Sequence, residues 1–140
     1  MSILNTWKGP QWTGCQSITS VLLCLCGSVL NEQPLLNEPG IGINHVDYNK
    51  YNEIVRFKNF EVAIADMLER KDIENDFSEL RLVMKNNFLE KYKDIIERLD
   101  DVQTENKSIT TSIYKMRTNV NYTEIKRRLE NIHHSFTKLN

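Results

Sequence analysis

One stretch of the sequence combines many apolar residues with a complete absence of charge. The thirteen residues from Ile18 to Leu30 contain no acidic or basic side chain. A run of this length exceeds an ordinary strand, and Ser17 precedes it with a hydroxyl suited to capping a helix. The apolar positions that recur at three- and four-residue spacing are Ile18, Val21, Leu22, Leu25 and Val29. The pattern predicts a helix that ends near Asn31 and is buried, because its other sides are also largely apolar.

The next part of the chain alternates between turn residues and helical periodicity. Asn31–His45 contains two prolines and two glycines and predicts a long turn region, in which Leu35 and Leu36 fold back on the core. Helical spacing returns from Tyr48 to Arg70 and predicts a broad-faced helix. Two further amphipathic segments follow, a shorter one from Phe77 to Phe88 and a surface helix from Leu89 to Val102.

The pattern is weaker toward the C-terminus. A loop is predicted over Asp100–Ser108, and a helix resumes over Ile109–Met116. Thr123 is a suitable cap for a final helix. The apolar residues of that helix keep a regular spacing at Ile125, Leu129, Ile132, Phe136 and Leu139. No segment predicts a strand, so the fold class expected from the pattern is mostly α.

Composition limits the possible functions. The chain has 140 residues and a formal net charge of −1, which indicates one domain or part of one and gives no reason to expect nucleic-acid binding. Bilayer spanning needs about 20 apolar residues, so the uncharged run predicts no membrane segment. Three cysteines and no signal-peptide pattern favour the cytosol over a secreted disulfide framework. The abundance of Asn, Lys and Ile is typical of AT-rich genomes, such as those of protists or large DNA viruses.

Few residues are arranged for chemistry. Cys24 and Cys26 point about 200° apart on a helix, which predicts core packing instead of a metal site. His133 and His134 lie on a polar stretch and are expected to be exposed. Cys15 lies within one turn of a helix N-terminus, where the helix dipole favours a thiolate. No neighbouring base is evident, and a structural role is therefore the preferred interpretation. The sequence predicts neither a metal nor a cofactor.

Four motifs in order resemble the C-terminal half of the ubiquitin-conjugating enzyme domain. They are S-I-L-N-T-W at Ser2–Trp7, W-T-G-C-Q-S-I-T-S-V-L-L at Trp12–Leu23, L-L-N-E-P-G at Leu35–Gly40 and Y-N-E-I-V-R at Tyr51–Arg56. The similarity is greatest to the large members of the family that combine conjugating and ligase activity. It covers roughly residues 2 to 90 and implies the helical portion of an α/β fold that lacks most of its central sheet.

The resemblance implies roles for specific residues. In this family a cysteine carries ubiquitin as a thioester, and by the alignment it stands immediately before Met1, so the resemblance assigns no catalytic residue within the chain. Ser20, Leu23 and Gly27 match the helix surface that contacts ubiquitin. The loop that ligases contact corresponds to Thr13, Gly14 and Cys15, although the family commonly has proline where Gly14 stands. Ubiquitin, its activating enzyme and a ligase are the partners that the resemblance implies.

Two functions follow from these observations. The first is a ubiquitin-conjugating enzyme truncated just after its catalytic cysteine; the second is a non-catalytic ubiquitin-binding or scaffold protein derived from one. The predicted organisation is part of the conjugating domain over residues 1–105 and a helical extension over residues 106–140. The expected location is the cytoplasm, or the host cytoplasm if the source is viral. Without the sheet, one side of the apolar helix would be exposed and would favour association.

Overall fold

The computed structural model describes residues 8–9, 11–70, 77–102 and 105–138. The chain divides into two compact units, Met1–Tyr48 and Asn49–Asn140. Its described elements are five α-helices with π- and 3₁₀-helical segments and a single two-stranded sheet. The predicted fold class, mostly α, is confirmed for the described residues. The division at residue 105 stays a prediction.

The first unit is built around the uncharged stretch. Helix α1 runs over Ile18–Cys24, and a π-helical segment continues it over Leu25–Val29. The helical path ends where the Leu30 amide donates to the Leu25 carbonyl at 2.8 Å. The predicted helix and its end near Asn31 are therefore confirmed.

A short 3₁₀-helix follows at Pro34–Asn37 in the first unit. The Asn31 side-chain amide donates to the Ser28 carbonyl and to Asn37 Oδ1, each at 3.0 Å, and so links the end of the helical path to this turn. Leu35 is completely buried, whereas Leu36 is only partly buried. The prediction that the turn region folds back is thus best supported at Leu35.

The second unit contains most of the helices. Helix α2 covers Tyr48–Lys58, and its path continues as a π-helix over Asn59–Asp66 and as the short helix α3 over Met67–Glu69. This confirms the helix predicted over Tyr48–Arg70. Helix α4 spans Ser78–Asp100 as one continuous helix where two segments were predicted. Met84, Phe88, Tyr92 and Leu99 keep three- to four-residue or doubled helical spacing and pack in one cluster, so no break separates the two segments.

Two strands form an antiparallel hairpin where a helix was predicted over Ile109–Met116. Strand β1 is Lys107–Thr110, strand β2 is Arg117–Val120, and Ile109 pairs with Thr118. Ile109, Thr118 and Val120 are buried while their neighbours along the strands are exposed, which is the alternation of a sheet with one covered face. The helix prediction and the expectation that no strand occurs are both wrong.

The connection between the strands has an unusual backbone. Tyr114 and Lys115 have φ of 56° and 48°, the left-handed region that Gly or Asn normally supplies in a hairpin turn. Each such residue costs roughly 1 kcal/mol. The Thr111 amide donates to the Met116 carbonyl at 3.0 Å and closes the turn. The turn therefore forms without its usual sequence signal.

Helix α5 covers Tyr122–Lys138. Its cap is Asn121, whose Oδ1 accepts from the Glu124 amide at 2.9 Å, so the prediction that Thr123 caps the helix is wrong. Ile125, Leu129 and Ile132 are buried as predicted, whereas Leu139 lies outside the described residues.

The core of the second unit joins α2, α4, α5 and the hairpin. Phe57 and Tyr122 meet edge to face with ring centroids 5.3 Å apart, and Leu129 has no solvent exposure. The other buried members of this cluster are Ile54, Phe60, Ala65, Leu68, Phe88, Leu99, Ile109, Val120, Ile125 and Ile132. None of the described helices is both long enough and apolar enough to cross a bilayer.

The basic side chain of Arg128 links α5 by ion pairs to the helical segments that continue α2. Arg128 Nη2 lies 2.7 Å from an Asp66 oxygen and 2.6 Å from a Glu69 oxygen, and its side chain is mostly shielded from solvent. Hydrogen bonding to Glu69 and Asp66 raises the pKa of Arg128, so its guanidinium stays charged over the ordinary pH range. Lys126 pairs with Asp100 and Arg127 with Glu124, so the basic run at Lys126–Arg128 is engaged within the unit.

Tyr122 gives the stability of this unit a specific pH dependence. Its buried hydroxyl has no hydrogen-bond partner among the described residues. Burial, and secondarily the Glu53 charge, raises the pKa of Tyr122 above its usual 10.0. The unfolded chain ionises first as pH rises, so the stabilisation from the neutral phenol is complete below about pH 10 and is lost above it.

We expect Tyr122→Phe to remove this pH dependence of the unfolding free energy. At neutral pH the variant should be as stable as the natural chain, or more stable by about 1 kcal/mol. Urea unfolding between about pH 9 and pH 11 measures it, since the natural chain should lose stability more steeply than the variant. Tyr114→Phe is the control, because Tyr114 is exposed and its removal should leave the slope unchanged. Equal slopes for the natural chain and Tyr122→Phe would disprove this assignment.

Candidate functional site

The uncharged helical stretch presents its apolar side chains to solvent. No residue of Ile18–Val29 is buried. The exposed fractions are 76% for Ile18, 54% for Leu22, 68% for Leu23 and 71% for Leu30. The prediction of a buried helix is wrong for the described residues, because no described part of the chain covers these side chains.

The start of this surface is fixed by a reciprocal cap. The Ser20 amide donates to Ser17 Oγ at 3.3 Å, and the Ser17 amide donates to Ser20 Oγ at 2.7 Å. Two amides at the helix N-terminus are thereby satisfied by a pair of serines. The cap predicted at Ser17 is confirmed, and Ser20 has a structural role in addition to the one the resemblance implies.

The three residues that match the ubiquitin-contacting surface lie on one side of the helical stretch. Ser20, Leu23 and Gly27 are spaced by three and four residues, which places them in a row along a helix. Leu23 is exposed, and no described atom lies within 4 Å of the position that a Cβ would take at Gly27. The row therefore has one projecting apolar side chain between two small residues and is accessible to a partner.

The residues predicted to contact a ligase form a turn ahead of α1. The Gln16 amide donates to the Thr13 carbonyl at 3.0 Å, and the Thr13 amide donates to Gln16 Oε1 at 3.2 Å. Thr13, Gly14 and Cys15 are all exposed. Trp12, just ahead of this turn, is also exposed, so its indole does not pack the turn; Trp7 and the Ser2–Trp7 motif lie outside the described residues.

The cysteines and histidines form no recognisable catalytic or metal site. All three thiols are free; Cys15 and Cys26 are exposed and Cys24 is partly buried. The core role predicted for Cys24 and Cys26 is therefore wrong for Cys26. His133 stacks on Tyr92 with ring centroids 3.8 Å apart, so it is less exposed than predicted, whereas His134 is exposed as expected. Among the described residues, no group of three or more His, Cys, Asp and Glu side chains is placed to hold a metal.

Sequence reasoning missed two side chains of this surface. Ile18 and Leu22 were predicted to be part of a buried face, yet both are exposed. At 3.6 residues per turn they lie on the side of the helix opposite Ser20 and Gly27. The lack of charge on every side of the helical stretch was the available signal. An uncharged apolar surface is stabilised by removal from water, and an interface with a partner protein achieves this as well as a hydrophobic core does.

Comparison with known proteins relates the chain to the ubiquitin-conjugating enzymes, and this confirms the predicted relationship. No family model matches the chain. Proteins named Ubiquitin-conjugating enzyme E2 Z are similar to the chain. The one from Xenopus tropicalis is 35% identical over 137 residues, which cover 95% of this chain and 42% of that protein.

The match to two other vertebrate proteins of the same name is shorter and has a higher identity. Ubiquitin-conjugating enzyme E2 Z from Homo sapiens is 43% identical over 94 residues, or 66% of this chain and 26% of the human protein. The protein from Danio rerio has the same identity over the same length, and the match covers 28% of that protein. The chain thus spans less than half the length of the curated relatives it matches.

Proposed function

We propose that the chain acts in ubiquitin transfer as part of a ubiquitin-conjugating enzyme, with the exposed side of Ile18–Leu30 contacting ubiquitin. One observation carries the proposal: a chain related to these enzymes folds its uncharged segment into a capped helical stretch whose apolar side chains are open to solvent. Exposed apolar surface of this kind is typical of a protein interface. The cytoplasm is the location that fits this function.

The proposed contact depends on Leu23. Its side chain projects from the helix between Ser20 and Gly27, so an apolar patch on ubiquitin would cover it without steric hindrance from its neighbours. Full burial of a leucine side chain contributes about 1.5–3 kcal/mol.

The proposal assigns the transfer chemistry to a thiolate that none of the three cysteines supplies. In the family the thioester forms at the position immediately before Met1 in this numbering, whereas Cys15, Cys24 and Cys26 match other positions. A thioester requires a nucleophilic thiolate placed against the incoming acyl group. The exposed turn at Thr13, Gly14 and Cys15 is the proposed ligase contact, and the activating enzyme is the third expected partner.

Replacement of Leu23 tests the ubiquitin contact. We expect Leu23→Glu to weaken ubiquitin binding at least about tenfold, because a carboxylate would be desolvated where a leucine was covered. Titration of fluorescently labelled ubiquitin with the natural chain and the variant measures this change.

Ile43→Glu is the matched control, since Ile43 is similarly exposed in the same unit but lies outside the helical stretch. Its binding should stay within about twofold of that of the natural chain. Equal affinities for Leu23→Glu and the natural chain would refute the proposed contact.

A further inference from the structure

A hollow in the second unit lies between α3, the first half of α4 and the end of α5. It has a volume of about 220 Å³. Its described apolar walls are formed by Met67, Leu68, Leu82, Met84 and Phe136. It is distinct from the helical stretch at Ile18–Leu30 and is not needed for the proposed contact with ubiquitin.

The charged side chains that line the hollow among the described residues are both basic. Arg81 is held at the edge by hydrogen bonds to two backbone carbonyls, those of Leu68 and Arg70. Lys85 extends over the ring of Phe136, with its ammonium 5.1 Å from the ring centroid. The hollow therefore combines an apolar interior with basic side chains at its edge.

The size and lining of the hollow select among possible occupants. Cofactor and small-molecule sites are usually about 300–1,000 Å³, so this volume suits a single large side chain better than a cofactor. Met67 and Met84 have flexible, polarisable side chains that adapt to different apolar groups. Leu82 belongs to the lining yet is 58% exposed, which leaves apolar area for a partner to cover.

We propose that this hollow binds an acidic peptide segment of a partner protein, which inserts one bulky apolar side chain between Met67, Met84 and Phe136. Carboxylates next to the inserted side chain would lie near the Lys85 ammonium. Complementary charge of this kind guides the approach of a partner and selects against basic segments. The inserted side chain supplies the affinity, and the basic edge supplies the preference for acidic sequence.

The test uses a fluorescein-labelled peptide in which a central phenylalanine is flanked by three glutamates on each side. We expect saturable binding in fluorescence polarisation. Binding should weaken at least about tenfold when the central phenylalanine is replaced by alanine, or when the glutamates are replaced by lysines. Unlabelled ubiquitin should not displace the peptide, and this result separates the hollow from the proposed ubiquitin contact.

Variants of the chain locate the site. Leu82→Glu and Lys85→Glu should each weaken peptide binding at least about tenfold. Val83→Glu is the matched control, because Val83 is 54% exposed on the same helix but does not line the hollow, and it should change binding by less than about twofold. Circular dichroism with thermal unfolding verifies that the variants fold.

Three results would each overturn the proposal. One is the absence of saturation up to about 1 mM peptide, and another is equal binding of the lysine peptide. The third is a loss on Val83→Glu as large as that on Leu82→Glu.

Discussion

When these 140 residues are produced alone, we expect none of Cys15, Cys24 and Cys26 to accept ubiquitin as a thioester. A chimera in which the residues replace the matched 137 residues of the Xenopus tropicalis protein should accept it. Thioester formation should be absent in the first case and present in the second, because acyl transfer to sulfur needs a thiolate at the family's position. Neither Cys15 nor Cys26, although exposed, matches that position. In the chimera the rest of the relative supplies the nucleophile, and this chain supplies the proposed surfaces for ubiquitin and ligase.

Incubation with activating enzyme, ATP and ubiquitin, followed by a non-reducing gel, measures the adduct. A thioester disappears on treatment with a thiol. Cys15→Ser in the chimera is the control and should charge like the parent chimera. If the 140-residue chain itself formed a thiol-sensitive adduct that Cys15→Ser abolished, the nucleophile would be Cys15. If a folded chimera stayed uncharged, the enzyme assignment would fail.

Leu129→Ala is expected to destabilise the second unit by about 3 kcal/mol, within the usual range of 2–5 kcal/mol for a buried leucine. Leu129 has no solvent exposure and belongs to the cluster that joins α5 to the other helices and the hairpin. Alanine keeps the helix propensity high, so the loss comes from the cavity and the missing contacts. For a domain with a typical stability of 5–15 kcal/mol, this loss is a large fraction.

Urea unfolding followed by circular dichroism measures this loss through the midpoint and the slope of the transition. Glu130→Ala is the matched control, since Glu130 is the next residue on the same helix and is exposed; its effect should stay within about 0.5 kcal/mol. A loss below about 1 kcal/mol for Leu129→Ala would show that α5 does not pack as described.

The sequence was most informative where apolar spacing persisted over several turns. Ile125, Leu129 and Ile132 recur regularly, and α5 buries all three. The hairpin was not predicted because each strand has only four residues, too few for alternation to be distinguished from chance. Its turn uses Tyr114 and Lys115 in the left-handed region, so the Gly or Asn that normally indicates a hairpin is absent.

The burial of the uncharged stretch was predicted wrongly for a different reason. Periodicity shows which residues of Ile18–Leu30 are apolar, but it does not show which element or which partner covers them. Similarly, the roles proposed for Ser20, Leu23 and Gly27 came from the family resemblance, because an exposed leucine between two small residues has no distinctive sequence signal. The reciprocal cap of Ser17 and Ser20 was predictable only in part, from the Ser17 hydroxyl.

The most direct test of the ubiquitin contact is a chemical-shift titration of the ¹⁵N-labelled chain with unlabelled ubiquitin. We expect the largest shift changes at Ser20, Leu23 and Gly27, smaller changes at the turn of Thr13–Cys15, and none along α5. Changes confined to the second unit, or no change at a saturating concentration of ubiquitin, would contradict the assignment of this helical surface to ubiquitin.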